Sequence, residues 1–424
     1  MATLAQIHDA LPAEGLFAGK EWLVSPEPFP LTDHDHEELD KLGYRLTLFN
    51  KAANLLYQQS VKAKQPAWIA DYLDRGKPTE LIELARGLRS QLPAVIRPDI
   101  ILTETGWTIA ELDTVPGGIG LTGWLNQTYA SAGHNVLGGA NDMIEGFRSI
   151  LPDGGEILVS EESATYRPEM QWLANQLNAA DTNATPLWTV GSAENPTPAS
   201  AYYRFFELFD LPNLPHIDLT RMAMTPPPKP FMEEKLWFAL FWMRPLREFW
   251  RRELSERHFL KLQQVIPYTW IMDPEPLPHF ATLPGLDIQN WGELKTLSQK
   301  QREFVCKISG FSDLAWGSRG VYVAQDLPQK EWAAVVDEAI ESFPHHPYIL
   351  QRFHKGRQVA HPYFDRDTGE EKIMHGRVRL CPYYFVSHDK AQLSGALATI
   401  VPADKKILHG MTDAILCPAA VTSI

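Results

Sequence analysis

The sequence predicts a mixed α+β and α/β protein, and three observations support this fold class. Apolar residues recur every three or four positions between residues 39 and 56, which is the period of an amphipathic helix. Residues 97–113 form two short strand-like runs around the dipeptide Thr105-Gly106 and predict a β-hairpin. Residues 156–190 contain an apolar run, an amphipathic stretch and a second apolar run, which predicts a βαβ unit with parallel strands.

The composition and charge of the chain exclude several classes of protein. The 424 residues are 44% hydrophobic and 21% charged, which is typical of a globular protein with room for two or three domains. The formal net charge of −13 argues against broad binding to nucleic acid or to an anionic membrane surface. The first residues lack the basic start and apolar run of a signal peptide, and no stretch is as long as a membrane span. We therefore expect a soluble, cytoplasmic protein.

The three cysteines, Cys306, Cys381 and Cys417, are far apart and show no CxxC spacing. This pattern predicts neither a zinc site nor a disulfide framework. Each cysteine lies in an apolar, strand-like context, so we interpret all three as small buried hydrophobic residues.

Two neighbouring segments in the middle of the chain have distinct patterns. Residues 224–231 contain three consecutive prolines and predict a linker at a domain boundary. Residues 233–267 predict a helical stretch that is interrupted near Pro245. Arginines and glutamates alternate along the second segment, which favours a salt-bridged helix face over a nucleic-acid patch.

The last third of the chain predicts both helices and strands. Residues 290–302 and 330–343 are each interpreted as a helix. Residues 348–365 and 371–387 are interpreted as two antiparallel strands, and residues 396–421 as short strands that end the chain.

Three carboxylates are expected to meet on the hairpin of residues 97–113. Glu111 and Asp113 are two positions apart and so face the same side of one strand, while Asp99 lies on the partner strand. Clustered carboxylates repel one another unless a cation neutralises them, and their hard oxygen atoms suit Mg²⁺ or Ca²⁺. The glycine-rich residues 116–120 permit close backbone approach. The sequence therefore predicts a divalent-metal site beside a mobile or substrate-facing loop; the alternative is an exposed hairpin with acids on its solvent face.

A second candidate site follows an apolar strand that contains a lysine. A Gly/Ser-rich loop comes next, and its backbone N–H groups and hydroxyls can hold phosphate oxygens while the lysine adds positive charge. No Walker motif is present, and a simple hairpin connection is the alternative. The candidate residues are Lys307, Ser309, Gly310, Gly317, Ser318 and Gly320.

Two further patterns point toward a nucleotide. Gln351, Arg352 and Phe353 lie in an apolar strand, and in a strand that edges a nucleotide cleft backbone groups can hydrogen-bond an adenine ring. Arg377 and Arg379 are two positions apart on a strand, and arginine suits bidentate recognition of phosphate or carboxylate. A cross-strand salt bridge is the alternative for the arginines.

These patterns together match the requirements of Mg-ATP. The metal bridges phosphate oxygens, the lysine and arginines offset the remaining charge, and the Gly/Ser loop covers the phosphates. Neither a GxSxG nucleophile elbow nor a GxGxxG dinucleotide motif competes with this interpretation.

With these residues identified, the chain resembles the ATP-grasp superfamily, in the circularly permuted branch typified by the synthetase domain of glutathionylspermidine synthetase. The stretch RPDIILTETGWTIAELDTVP is similar to that family's metal stretch, in which an acid follows the Arg-x-Asp aspartate by twelve residues. EEKLWFALFWMRPLREFW is similar to the helix with the family's first nucleotide lysine, and FVCKISGFSDLAWGSRGV to its strand and phosphate loop. The carboxylates precede both lysines, which is the permuted order.

The resemblance implies a role for each matched residue. The Mg²⁺ ligands would be Asp99, Glu111 and Asp113. Lys235 and Lys307 would neutralise phosphate charge. Arg97 would contact the transferred phosphate, and Arg379 is a second candidate for that contact.

Three matched positions depart from the family pattern. Asp113 stands where the family has Asn, and Ile308 stands where it has Pro. Glu234 precedes the helix lysine in place of the usual Asn.

The resemblance also implies a fold, its domains and an activity. The fold is a permuted ATP-grasp that holds the nucleotide between two α+β subdomains, with an added Rossmann-like βαβ substrate domain. The expected domains are 1–135 with the metal hairpin, 136–224 with the βαβ unit, and 225–424 with the lysines and phosphate loop. The activity is ATP- and Mg²⁺-dependent ligation of a carboxylic acid and an amine, both small molecules. An acyl phosphate forms, and the amine attacks it to give an amide, ADP and phosphate.

Two other functions remain open on the sequence. A nucleotide-binding scaffold or regulatory protein without ligase activity is suggested by the altered residue beside Lys235. A structural or carbohydrate-binding protein is suggested by the 11% aromatic content. ATP binding separates the last of these from the other two, and ADP release separates the ligase from the scaffold.

Overall fold

The computed structural model describes residues 4–10, 21–179, 186–315, 317, 319–408 and 412–422. Its contacts divide the chain into two compact units. Unit 1 comprises Met1–Asn50, Gln91–Pro228 and Gly356–Ile424, and unit 2 comprises Lys51–Ser90 and Lys229–Lys355. The three-domain division drawn from the sequence stays a prediction.

The strands are, in chain order, β1 (Phe29–Leu31), β2 (Val95–Thr103), β3 (Gly106–Asp113), β4 (Gly155–Val159), β5 (Trp188–Ser192), β6 (Tyr202–Phe205), β7 (Met224–Thr225), β8 (Thr269–Ile271), β9 (Phe304–Ile308), β10 (Val321–Val323), β11 (Tyr348–Arg352), β12 (Gln358–Phe364), β13 (Glu371–Ser387), β14 (Lys390–Pro402) and β15 (Ile415–Val421).

The α-helices are α1 (Leu4–Asp9), α2 (Asp33–Val61), α3 (Trp68–Asp74), α4 (Thr79–Gly87), α5 (Ile119–Ser131), α6 (Asp142–Ile150), α7 (Arg167–Ala179), α8 (Leu236–Trp242), α9 (Arg247–Val265) and α10 (Gln329–Glu341). Nowhere in the described ranges does a helix combine the length and the apolar character that crossing a membrane requires.

Unit 1 contains a large, mostly antiparallel sheet and a smaller parallel sheet. The large sheet has the order β1-β15-β14-β13-β2-β3, with β12 paired to β13, and β1 runs parallel to β15. The small sheet has the order β5-β4-β6-β7 and its strands are parallel. Since α7 connects β4 to β5, the predicted βαβ unit is confirmed. The predicted mixture of α+β and α/β structure is present within this one unit.

Unit 2 contains the antiparallel sheet β10-β9-β11-β8. One face of this sheet packs in a core rich in aromatic side chains. The core includes Trp270, Trp291, Phe304, Trp332 and Tyr348, all buried. Three of these residues come from strands and two from the segments 291–296 and α10, so burial of large rings holds the helical segments to the sheet.

The hairpin that was predicted at residues 97–113 is formed by β2 and β3. The turn falls at Glu104-Thr105, one position before the predicted Thr105-Gly106. Gly106 begins β3 with a φ of 135°, a conformation that glycine adopts without steric cost. The register places Asp99 opposite Glu111 and Arg97 opposite Asp113. Residues directly opposite one another share a face of the sheet, so charged groups from both strands project to one side.

The segment around Pro245 divides as predicted. α8 ends at Trp242, a 3₁₀ turn spans Arg244–Leu246, and α9 follows. On α9, Arg251 pairs with Glu248 at 3.0 Å and also with Glu256. The salt-bridged helix face is therefore confirmed.

The helix predicted at residues 290–302 is wrong in type. The segment forms two 3₁₀ turns, Trp291–Thr296 and Gln299–Gln301. Each turn has its own capping box, Asn290 with Glu293 and Ser298 with Gln301. A second N-terminal cap at Ser298 satisfies backbone donors that a continuous helix would have bonded internally, so the helix stops there.

The strand prediction for residues 348–365 is also corrected. β11 belongs to the unit 2 sheet, and only β12 pairs antiparallel with β13. The end of the chain is not made of short strands alone, because β14 begins at Lys390 and has 13 residues. All three cysteines are buried and form no disulfide, as predicted.

Lys229 is a fully buried lysine of unit 2. Its Nζ donates hydrogen bonds to Asn54 Oδ1 at 2.9 Å and to the Arg89 carbonyl at 3.4 Å. Burial disfavours the charged ammonium and lowers the pKa of Lys229 to about 8.

We expect Lys229 to make the stability of the protein depend on alkaline pH. In the folded state the pKa of Lys229 is about 8, below the unfolded value of about 10.4. The contribution of neutral Lys229 to the unfolding free energy is therefore full above a pH of about 10.4 and is lost as the pH falls through 8. The unfolding free energy of the wild type should therefore rise by about 3 kcal/mol relative to Lys229→Met between pH 7 and pH 11. Urea unfolding across this range measures the difference, with the exposed Lys300→Met as control. Parallel pH profiles for wild type and Lys229→Met would contradict the prediction.

Candidate active site

Charged side chains of unit 1 cluster where β2 lies between β3 and β13. β13 pairs with β2, which brings Arg379 to within 3.0 Å of Asp99. The i, i+2 spacing of Arg97 and Asp99 puts both on one face of β2. The cluster therefore joins residues from two distant parts of the sequence.

Arg97 is the centre of this cluster. Its Nε donates to Asp99 Oδ1 at 3.0 Å, its Nη2 lies 3.2 Å from Asp113 Oδ2, and its Nη1 donates to the Gly117 carbonyl at 3.1 Å. All three guanidinium nitrogens are thus engaged, which fixes the plane of the side chain. These three contacts hold the Arg97 guanidinium in one orientation.

Asp99 is the acid that the cluster encloses. It is 5% exposed, and it accepts hydrogen bonds from Arg97, from Arg379 Nη1 at 3.0 Å and from the Cys381 thiol at 3.4 Å. Burial by itself would raise the pKa of Asp99, but the two arginines outweigh burial and lower it. Asp99 is therefore ionised at neutral pH.

Asp113 lies at the more exposed side of the cluster, where its side chain is 32% exposed and pairs with Arg97. Burial raises the pKa of Asp113, Arg97 lowers it, and the nearby negative charge of Glu111 raises it further. The net direction is upward, although an arginine is 3.2 Å away. Burial and the charge of Glu111 therefore outweigh the ion pair with Arg97.

The three candidate acids match a divalent metal in chemistry but not in arrangement. Asp99, Glu111 and Asp113 supply only carboxylate oxygens, which suit Mg²⁺. No group of three or more His, Cys, Asp or Glu side chains in the described ranges is placed to hold a metal ion. Asp99 pairs with both arginines, and Asp113 pairs with Arg97. The assignment of these three ligands stays a prediction.

The glycine-rich turn after β3 is held against the cluster. The Gly117 carbonyl accepts from Arg97 and from the Tyr383 hydroxyl at 2.8 Å, and the Gly118 N–H donates to Glu169 Oε1 at 2.7 Å. Gly118 has a φ of 88° and precedes α5, a conformation that favours glycine. The turn is therefore packed against Arg97, Tyr383 and Glu169, and its substrate-facing role stays a prediction.

The two candidate arginines of β13 have different partners. Arg379 makes the cross-strand ion pair with Asp99, which is the alternative that the sequence left open. Arg377 donates to the carbonyls of Gly356 at 3.1 Å and Lys405 at 3.0 Å. Its bonds to backbone carbonyls give Arg377 a role in holding loops, so the two arginines do not act as one pair.

In unit 2, Lys307 and Gln351 are bonded to each other. Lys307 is 6% exposed, and its Nζ donates to Gln351 Oε1 at 3.0 Å. Gln351 Nε2 lies 3.5 Å from Thr269 Oγ1, which orients the amide. β11 is an interior strand whose backbone pairs with β9 and β8, so the backbone of Gln351 is engaged within the sheet. The nucleotide role of Gln351 stays a prediction.

Ser309 joins the predicted phosphate loop to the start of α8. The Lys235 N–H donates to the Ser309 carbonyl at 3.0 Å, and the Leu236 N–H donates to Ser309 Oγ at 2.9 Å. Ser309 Oγ donates in turn to Glu234. The structure thus brings the backbone of Lys235 to the strand that carries Lys307, two residues before Ser309.

Glu234 and Lys77 form a buried ion pair under this loop. Lys77 Nζ lies 2.5 Å from Glu234 Oε1, and both side chains are 1% exposed. The Glu234 carboxyl also lies 3.0 Å from the position that a Cβ at Gly310 would take, so a larger residue there would press on the pair. Sequence reasoning did not find Lys77, because its partner is 157 positions away.

The remaining loop residues differ in their surroundings. Gly317 has a φ of 63° with open space around its Cα, whereas a Cβ at Gly320 would lie 2.8 Å from Ile308 and from the Leu314 carbonyl. Ser318 lies outside the described residues. The roles of these loop residues stay predictions.

Three residues of the unit 1 cluster were also missed from sequence. Cys381, Tyr383 and Glu169 contact Asp99, Gly117 and Gly118 respectively. For Tyr383 a signal existed, since it lies on the same strand as Arg379, two positions beyond Cys381. Nothing in the sequence distinguishes Glu169 from other helical glutamates.

A separate cavity of about 430 Å³ in unit 1 has a different character. Its lining includes Trp124, Trp172, Gln127 and Thr128, and none of the predicted site residues lines it. Among the described residues of the lining, none carries a charged side chain.

Comparisons with known proteins identify a shared fold. A solved structure of a glutathione synthetase-like effector from Globodera pallida, in its apo form, is 11% identical and has a TM-score of 0.58. The match covers 99% of this chain and 97% of that chain. A putative gamma-glutamylcysteine synthetase from Methylobacillus flagellatus is 13% identical over 86% of each chain, with a TM-score of 0.41. No protein-family model and no curated protein matches the chain. The first likeness therefore concerns the fold alone.

Proposed function

We propose that the protein is an ATP-dependent ligase that joins a small carboxylic acid to an amine through an acyl phosphate. The observation that carries the proposal is the clustering of Arg97, Asp99, Asp113 and Arg379 on one face of the large sheet. Preoriented guanidinium groups beside ionised carboxylates supply what phosphoryl transfer needs, because that reaction is catalysed mainly by positioning and electrostatics. A permuted ATP-grasp fold of the glutathionylspermidine synthetase-like kind is part of the same proposal.

In unit 1, each charged residue has a proposed task. Arg97 and Arg379 offset negative charge on the transferred phosphoryl group, and Asp99 keeps both guanidinium groups in place. Glu111, Asp113 and Asp99 are the residues that would hold Mg²⁺, and a bound metal would supply positive charge to offset that of the phosphates.

In unit 2, lysines and backbone N–H groups are proposed to bind the nucleotide phosphates. Lys307 and Lys235 neutralise phosphate charge, and Gln351 holds the ammonium of Lys307 at 3.0 Å. The loop would cover the phosphates through Ser309, Gly310, Gly317, Ser318 and Gly320. No side-chain nucleophile is required, because the amine of the substrate attacks the acyl phosphate directly.

Lys307→Met should remove nucleotide binding. The side chain keeps a similar length but loses its charge, so phosphate attraction is lost. For the wild type, ATP with Mg²⁺ at a hundredfold excess over Kd should add about 2.7 kcal/mol of stability, which thermal unfolding detects. The exposed Lys300→Met is the matched control and should keep the full shift.

The outcomes distinguish the candidate functions. A Mg²⁺-dependent shift followed by ADP release in a panel of acids and amines supports the ligase. A shift without ADP release across the panel favours a nucleotide-binding scaffold. Absence of any shift for the wild type contradicts both.

A further inference from the structure

The peptide bond between Gly117 and Gly118 is bonded at both ends by charged side chains. Its carbonyl accepts from Arg97 Nη1 at 3.1 Å and from the Tyr383 hydroxyl at 2.8 Å. Its N–H donates to Glu169 Oε1 at 2.7 Å. This amide therefore lies between the carboxylate of Glu169 and the guanidinium of Arg97. Each charged group polarises the amide, and this polarisation strengthens the hydrogen bond on the other side.

Glu169 is buried beside the Gly118 N–H. It is 1% exposed and comes from the first turn of α7. A Cβ at Gly120 would lie 2.3 Å from the Glu169 carbonyl, so the backbone of α7 directly touches the start of α5. Its carboxylate also lies at the N-terminal end of α5, where the helix dipole favours negative charge.

We infer that Glu169 is a positioning residue that orients Arg97 through the Gly117–Gly118 peptide. Arg97 reaches this carbonyl with Nη1 and reaches Asp99 and Asp113 with its other two nitrogens. A shift of the Gly117–Gly118 peptide would therefore also move the Arg97 nitrogens that contact Asp99 and Asp113. The catalytic consequence of this role rests on the proposed function, whereas the positioning itself does not.

Hydrogen exchange of the ligand-free protein, read by mass spectrometry over residues 114–121, tests the positioning. Glu169→Ala removes the acceptor of the Gly118 N–H, so we expect exchange there to speed up by at least about tenfold. Glu169→Gln keeps an acceptor oxygen and should restore most of the protection. Glu145→Ala, whose side chain is 53% exposed on α6, is the matched control and should leave this segment unchanged.

Glu169→Asp provides a second variant if Glu169→Ala does not fold. It keeps the charge but is one methylene shorter, so the carboxylate no longer reaches the amide and exchange should again accelerate. Unchanged exchange in Glu169→Ala or Glu169→Asp overturns the inference. Exchange in Glu169→Gln as fast as in Glu169→Ala overturns it as well.

A kinetic measurement separates this inference from the proposed function. If the wild type turns over ATP, Glu169→Ala should lower kcat by about 10- to 100-fold with KM for ATP unchanged, and Glu169→Gln should recover most of it. Equal kcat in Glu169→Ala and wild type overturns the catalytic consequence. A wild type without turnover defeats the proposed function, and the exchange measurement then still decides the positioning.

Discussion

Asp99→Asn should abolish ATP-dependent turnover, with a loss of at least about 100-fold, and should also destabilise the fold. The asparagine keeps the shape of the side chain but presents an NH₂ group to one of two guanidinium donors. Arg97 and Arg379 would then share a mostly buried site with one anion fewer. Removing one partner of a buried ion pair costs about 3–5 kcal/mol, so we expect a loss of unfolding free energy near the lower end of that range.

Glu104→Gln is the matched control for this substitution. It makes the same change of charge on the same hairpin, but Glu104 is exposed in the turn. Urea unfolding and ADP release should give wild-type values for this variant. Asp99→Asn with normal ADP release would contradict the role of the cluster, and Asp99→Asn with unchanged stability would contradict the importance of its ion pairs.

The stabilisation of the fold by Asp99 should depend on pH only in the acidic range. The folded pKa of Asp99 is lowered, so its stabilising contribution is present above the unfolded pKa of about 3.9 and is lost as the pH falls through the folded pKa. The stability gap between wild type and Asp99→Asn should therefore be flat near neutral pH and close only in acid. Asp113 acts in the opposite sense because its pKa is raised, and its contribution is lost as the pH rises through the folded pKa.

The hairpin shows how much local sequence determines. The two strands follow from apolar runs on either side of a turn signal, which is a short-range property. The turn itself falls one position earlier than predicted. The pairing of Asp99 with Glu111 was not predictable, because a β-bulge between Asp99 and Ile100 shifts the register by one residue and so brings the acids of both strands to one face.

Contacts between distant segments were not predictable in the same way. Arg379 meets Asp99 only because β13 lies beside β2, and 280 positions separate the two residues. An apolar run such as β11 fits an interior strand and an edge strand equally well, so the sequence could not fix the surroundings of Gln351. Strand order depends on which distant runs pair, and a single sequence does not contain that information.

Glu234→Ala should destabilise unit 2 by about 3–5 kcal/mol, because it leaves the ammonium of Lys77 buried without its counter-ion. The two groups lie 2.5 Å apart with side chains 1% exposed. Glu234 also accepts from Ser309, so the loop that follows β9 loses a bond. Urea unfolding at pH 7 measures the change.

A surface ion pair and a double variant complete this test. Glu253→Ala removes a partner of Arg252 whose side chain is 61% exposed, and such pairs contribute at most about 1 kcal/mol. Replacing both Lys77 and Glu234 by methionine removes both buried charges at once and should recover most of the lost stability. A Glu234→Ala effect no larger than that of Glu253→Ala would show that the pair is not what holds this region together. A double variant as unstable as Glu234→Ala would instead assign the loss to packing, since the stranded charge would no longer be present to explain it.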